Sequence, residues 1–320
     1  MRSLRRHCLI LSVAAIAALS ACKKEGDSGG AGGGGGGGAA ADDLNVIPKD
    51  SDFVLEIDLG KLRGSALFKE HGQQLVEKAA SELTKFKDTC GFDPVESAKR
   101  VVVGVKMNGD KASGSIIFHS TVSKVQIKAC LEKSKAEIEK DGTKLEMDGD
   151  IAFLTPSKEE AFGAVTFLGS DGVVVLFKDS AWTKDQVQAA LTGGGSIKGS
   201  KDFGDLHSAR KKNQTLWMYM NGASPMLAKA APMKLDAVGF FGTVDLTDGL
   251  SSQFRARMKT AADAQQIEAA MKGQLASAQM FFSKIEAKVD GSDLIIDADM
   301  SAKQLQGMMS MALGGMMGRQ

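Results

Sequence analysis

From Phe53 onward the chain switches between two hydrophobic periods. Phe254, Ala256 and Met258 alternate with Arg255 and Arg257, the period-two pattern of a strand with one apolar and one wet face. Runs of this kind flank Asn108-Gly109, Asp148-Gly149, Asp171-Gly172, Asp248-Gly249 and Asp290-Gly291, dipeptides that favour tight turns, and so predict five hairpins. The paired runs are Val101–Met107 with Ser115–His119, Lys144–Met147 with Ile151–Leu154, Ala164–Leu168 with Val173–Phe177, Val238–Val244 with Ser252–Met258, and Ile285–Val289 with Leu294–Asp299. Between them the period lengthens. Phe68, Leu75, Ala79, Leu83 and Phe86 share one helical face; so do Ile127, Cys130, Leu131 and Ile138, and again Ile267, Ala270, Met271, Ala278, Phe281 and Phe282. Asp93-Pro94 fits a helix cap followed by proline at the first helical position.

The order of elements repeats. Strand 53–59, helix 64–87, a hairpin, helix 122–140, two hairpins and helix 183–192 are followed by strand 215–220, helix 223–231, a hairpin, helix 261–284, a hairpin and helix 302–313. This predicts an α+β fold of two tandem strand-helix-hairpin-helix-hairpin-helix copies, with mostly antiparallel sheet and helices on one face. The first copy takes residues 42–196 and carries the extra hairpin near 144–154. Residues 197–213 read as a connector, 214–313 as the second copy and 314–320 as a flexible Met/Gly-rich tail.

The N-terminus follows another plan. Arg2, Arg5 and Arg6 precede an apolar run from Cys8 to Leu19, and small residues Ser20 and Ala21 stand before Cys22, the layout of an export signal over residues 1–21. About a dozen apolar residues are too few to span a bilayer. Leu19-Ser20-Ala21-Cys22 resembles the lipobox of bacterial lipoproteins. The resemblance implies cleavage before Cys22, acyl chains on that residue, and a membrane partnership made through those chains. Lys23 stands where an Asp would retain an enteric-type lipoprotein at the inner membrane, so the resemblance favours the outer membrane, facing the periplasm. Residues 22–41 carry a Gly-rich run with no core-forming side chain, a flexible tether. The segment from Val46 to Leu59 with Leu62-Arg63-Gly64-Ser65, and Cys90-Gly91-Phe92-Asp93-Pro94, are similar to a group of uncharacterised exported bacterial proteins, which brings no activity with it.

Composition adds exclusions. The chain has 320 residues with 40 Lys+Arg against 39 Asp+Glu, a balance that excludes a strongly basic nucleic-acid binder. Residues 1–21 hold three Arg and no acid, so 37 basic against 39 acidic residues remain once the signal is removed. Of the four cysteines, Cys8 lies in the signal and Cys22 takes the lipid. Cys90 and Cys130 are left for the folded part, and an exported pair predicts a disulfide.

Candidate chemistry is sparse. His71 falls on an apolar helix face, His119 ends a strand and His207 lies in the connector, none at metal-ligand spacing from another ligand. Ser208-Ala209-Arg210-Lys211 fits Ser-x-x-Lys, where a lysine one turn on activates a serine, but companion Ser-Asp-Asn and Lys-Thr-Gly elements are missing. Asp148, Asp150, Asp171, Asp248 and Asp290 read as turn residues, since no bidentate Glu follows at calcium-loop spacing. Met308, Met309, Met311, Met316 and Met317 read as adaptable packing groups ahead of a copper site. The expectation is a membrane-anchored envelope lipoprotein without catalytic residues, metal or cofactor, binding an envelope protein. Carriage of a lipid or other apolar ligand is the alternative, and a Ser208/Lys211 hydrolase the third.

Overall fold

A computed structural model describes residues 39–308, apart from 110, 159–160, 226 and 228–235. The signal, Cys22, most of the tether, most of the expected helix 223–231 and the tail 314–320 lie outside the described residues. In chain order the elements are α1 (Ala39–Val46), β1 (Phe53–Asp58), α2 (Leu59–Gly64), a π-turn (Phe68–Gly72), α3 (Gln73–Cys90), α4 (Pro94–Ser97), β2 (Ala98–Asn108), β3 (Lys111–Ser120), α5 (Lys124–Lys140), β4 (Thr143–Asp148), β5 (Ile151–Pro156), β6 (Phe162–Leu168) and β7 (Gly172–Lys178). Next come α6 (Lys184–Leu191), a 3-10 turn (Ile197–Gly199), α7 (Lys201–Ser208), β8 (Leu216–Asn221), β9 (Ala237–Asp245), β10 (Gly249–Met258), α8 (Ala261–Ala278), β11 (Lys284–Asp290) and β12 (Asp293–Ser301). Helix and strand are mixed, and the paired strands make large antiparallel sheet.

The chain divides into two compact units. Unit 1 holds the residues up to Val54 and Gly72–Ser200; unit 2 holds Leu55–His71 and the residues from Lys201.

In unit 1 the strand order is β2-β3-β7-β6-β5-β4, antiparallel throughout. One face packs on α5: Leu145, Ala152, Leu154 and Val165 form a core cluster with Leu131 and Ile138. The opposite face takes α1 and the residues after it. Ser115 Oγ donates to Val46 O at 3.1 Å, and Ile47 lies so close to Gly104 that a Cβ there would fall 2.5 Å from Ile47 Cγ2. Helix starts follow their caps. Ser123 and Gln126 close a capping box on α5, Thr183 and Gln186 do so on α6, and Asp93 accepts from Val95 N and Glu96 N to start α4.

In unit 2 the strand order is β8-β9-β10-β12-β11. The hairpin β11-β12 turns at Gly291, whose φ of 59° suits residues without a Cβ. Ala256 and Met258 face α8, packing with Ala264, Ile267 and Val289. The other face, with Tyr219 and Phe241, takes α7, whose Phe203 stands edge-on to Tyr219 at 5.2 Å.

Three expectations are corrected. Helices cover both faces of the sheet within each unit, because short α1 and α7 bury a second set of strand side chains that a single-face reading leaves wet. The segment 197–213 is not a bare connector: it holds the 3-10 turn and α7, with Ile197, Phe203 and Leu206 buried. The single helix over 64–87 is also broken. Ser65 has an extended backbone and its Oγ accepts from Phe68 N at 3.1 Å, ending α2 and restarting the chain as the π-turn.

Candidate functional site

A buried cluster of charged groups in unit 1 meets where α1 lies on the sheet. Asp43, on α1, is 1% exposed. It is carried there by Leu44 and Val46, both buried. Arg100, on β2, and His119, on β3, are cross-strand partners and reach it together. Arg100 Nη2 donates to Asp43 Oδ2 at 2.5 Å, and His119 Nε2 lies 2.8 Å from Asp43 Oδ1. On the other side of the imidazole, Nδ1 lies 3.3 Å from Oδ1 of Asp171, in the turn before β7; Lys99 Nζ stands 3.7 Å from the same carboxylate.

Both ring nitrogens of His119 therefore face carboxylates. An imidazolium donates to both, whereas a neutral ring donates to one only. Burial pushes the His119 pKa down, but the hydrogen bond and charge of Asp43 raise it, Arg100 opposes, and Asp171 adds to the rise; the result lies above 6.5.

Unit 2 has a matching arrangement with another cation. Asp205 is the fifth residue of α7, as Asp43 is the fifth of α1, and each is followed by a buried leucine, Leu206 and Leu44. Arg257, near the end of β10, sets Nη1 3.5 Å from Asp205 Oδ2 and donates from Nε to Asp293 Oδ1 at 2.8 Å. Arg255 donates to Asp293 Oδ2 at 2.8 Å. Burial alone would raise the Asp293 carboxyl, but bonds from Arg257 and then Arg255 hold it below the usual range. In each unit a strand cation stands between a covering-helix aspartate and an aspartate at the start of the last hairpin strand.

Beside this, α7 sets His207 among aromatic rings. Phe203 stacks on it at 5.1 Å and Trp217 meets it edge-on at 5.2 Å. Burial, and then the nearby Arg210 charge, push its pKa down to about 4. Arg210 Nη1 donates to His207 O at 2.6 Å and lies 3.2 Å from Nδ1, which the neutral ring leaves free as an acceptor.

The fold is similar to that of TP0453. Crystal form I of that protein matches at 12% identity over 83% of this chain and 96% of that one, with a TM-score of 0.50, and crystal form IV gives the same values. At that identity the likeness concerns the fold alone. No protein-family model matches the chain, and no curated protein matches it.

Of the residues singled out from sequence, Cys90 and Cys130 are brought together: their sulfurs are bonded, with Cα atoms 4.5 Å apart, joining the end of α3 to α5. Cys22 lies outside the described residues. Ser208 ends α7, while Lys211 Nζ lies 3.1 Å from Asp297 Oδ1, and no hydrogen bond joins the two among the described residues. That ion pair gives Lys211 a partner other than the serine. His71 sits in the π-turn with Nε2 buried and unpartnered among the described residues. Among the turn aspartates, Asp148 meets Lys184 at 3.0 Å, and Asp150 meets Lys124 and Lys128. Only Asp171 joins a buried cluster. No group of three His, Cys, Asp or Glu that could hold a metal occurs among the described residues, and no helix there is long and apolar enough to cross a membrane.

Sequence reasoning missed the Asp43–His119–Asp171 bridge. Its members lie 76 and 52 residues apart, and no local spacing joins them. The available signal was the Asp-Leu pair that recurs as Asp43-Leu44 and Asp205-Leu206, each some ten residues ahead of a strand.

Proposed function

We propose that this chain is a lipid-anchored envelope protein with a non-enzymatic binding or structural role, held on the outer membrane by acyl chains on Cys22 and facing the periplasm. The observation that carries the reading is Leu19-Ser20-Ala21-Cys22 at the end of the apolar run, ahead of a Gly-rich tether. The Cys90–Cys130 bond supports it, since structural disulfides persist in oxidising compartments. Two acyl chains or more make such anchoring stable.

A duplicated body belongs to the same reading. The hairpins β2-β3 and β6-β7 join as β2-β3-β7-β6, and β9-β10 and β11-β12 join as β9-β10-β12-β11, with β4-β5 added at one edge of the first set. The two helix–cation–carboxylate bridges at like positions favour descent of both halves from one unit.

Membrane fractionation of cells making wild-type protein and Cys22→Ser tests the anchor. Wild type is expected in the detergent phase with an acylated N-terminal cysteine by mass spectrometry; equal detergent partition of Cys22→Ser would remove the lipoprotein reading. One observation favours a second reading, carriage of an apolar ligand: Phe254 is 43% exposed on the same sheet face as Ala256 and Met258, next to Gly242 and Met218. Co-purifying lipid mass in native spectra supports that reading, and a clean apo mass counts against it.

A further inference from the structure

The tether enters the fold through α1, and α1 is held by charge as well as by packing. Asp43 joins an ion pair that is shared between Arg100 and His119. The charged groups facing His119 are Asp43 from α1, Arg100 from β2 and Asp171 from the turn before β7, with Lys99 standing behind Asp171. His119 is 7% exposed at its side chain, so solvent does little to replace a lost partner. Asp171, at 42%, keeps a solvent-facing side. When the ring is neutral, its one N–H serves one carboxylate, and the other is left facing a lone pair. The buried Asp43 then depends on Arg100 alone, or Asp171 is released.

We propose that the Asp43–His119–Asp171 bridge is a pH-dependent latch on the root of the tether: with the imidazole protonated, α1 is clamped to β2 and β3, and loss of that proton loosens α1 from the sheet. The corresponding bridge of unit 2 cannot act this way, because Arg257 stays protonated throughout the accessible range. The latch concerns α1 and stands whether or not Cys22 is acylated. For an exported protein it makes the seating of the tether responsive to the acidity outside the cell's cytoplasm, tighter in acid.

Hydrogen–deuterium exchange on the full chain in detergent tests it. Protection of the amides of residues 43–47 is compared at pH 6 and pH 8.5 after correction for intrinsic exchange. A fall of about tenfold at the higher pH is expected, the effect of losing one charged hydrogen bond. Amides around Arg257 and Asp293 should hold their protection across the same interval. In His119→Arg, which copies the unit 2 cation, the fall should vanish, and in His119→Gln protection should be low at both values. A variant that fails to fold does not remove the test, because the wild-type comparison and an NMR titration of the His119 ring stand alone. Equal protection of 43–47 at both pH values, a parallel loss around Arg257, or a His119 ring that titrates below 6.5 would overturn the latch.

Discussion

Units 1 and 2 seat a short helix on one sheet face with a similar bridge, yet they secure the rest of that helix by different means. In unit 1, α1 lies under a network of buried ions, and the unit as a whole is stapled by the Cys90–Cys130 bond. Unit 2 contains no cysteine, and α7 is fixed by Phe203, His207, Trp217, Tyr219 and Phe241, rings that stack or meet edge-on. The ionic bridge is favoured by a protonated imidazole, whereas the aromatic cluster is favoured by a neutral one, because burial there pushes the His207 pKa down to about 4. The same architecture thus acquires opposite responses to pH from two choices of side chain.

The largest effect expected is on the covalent staple. Its loop separates residues 40 apart, and closing such a loop contributes about 4 kcal/mol in the chain-entropy account. Cys90→Ser with Cys130→Ser should lower the denaturant midpoint of unit 1 by a corresponding amount and leave unit 2 unmoved. The chain supplies its own reporters, because Trp182 belongs to unit 1 and Trp217 to unit 2. Removing one tryptophan at a time by substitution with Phe isolates each unfolding transition. A shift of equal size in both would mean that the units do not differ in this respect.

The bridges come next. Asp43→Ala leaves Arg100 and His119 as buried cations without their shared carboxylate, a loss on the order of 3 kcal/mol. Asp205 is 47% exposed and stands 3.5 Å from Arg257, so Asp205→Ala should cost well under about 1 kcal/mol. Urea titrations of both variants check the contrast. If the two substitutions cost the same, burial is not what separates the bridges.

Much of the sheet could be read from sequence, because strand periodicity and turn chemistry act over a few residues. The residues expected on either side of Asn108-Gly109, Asp148-Gly149 and Asp290-Gly291 do pair as antiparallel neighbours. The second covering layer was not legible. An eight-residue helix such as α7 buries only Phe203 and Leu206, one turn of spacing, which a window tuned to longer helices passes over. α1 follows a run of Gly and Ala and so reads as the end of the tether. The bridges were hidden for a related reason: hydrogen bonding between groups many tens of residues apart leaves no period. His119 read as a strand end, which is where it lies; that position gave no hint that Asp43 and Asp171 close on it from two sides.

Below the Asp43 loss in size stands the effect that separates the units most sharply. His207 has a folded-state pKa of about 4 against an ordinary 6.5, so the folded form holds the neutral ring. Its contribution is complete above about pH 6.5 and is lost as the pH falls toward 4, on the order of 2 kcal/mol after allowance for partial solvent screening. His119 lies on the other side of its ordinary value. Its contribution is complete below 6.5 and is lost as the pH rises through the higher folded-state value. Between pH 6.5 and 4, therefore, the Trp217 transition should weaken from this source, while no loss from His119 reaches the Trp182 transition. Carboxylate titration adds a common background to both, and His207→Phe removes the specific part: it keeps an aromatic ring against Phe203 and Trp217 but cannot take up a proton. If the Trp217 midpoint falls as steeply in His207→Phe as in wild type over that interval, the acid sensitivity of unit 2 does not come from the ring among its aromatics.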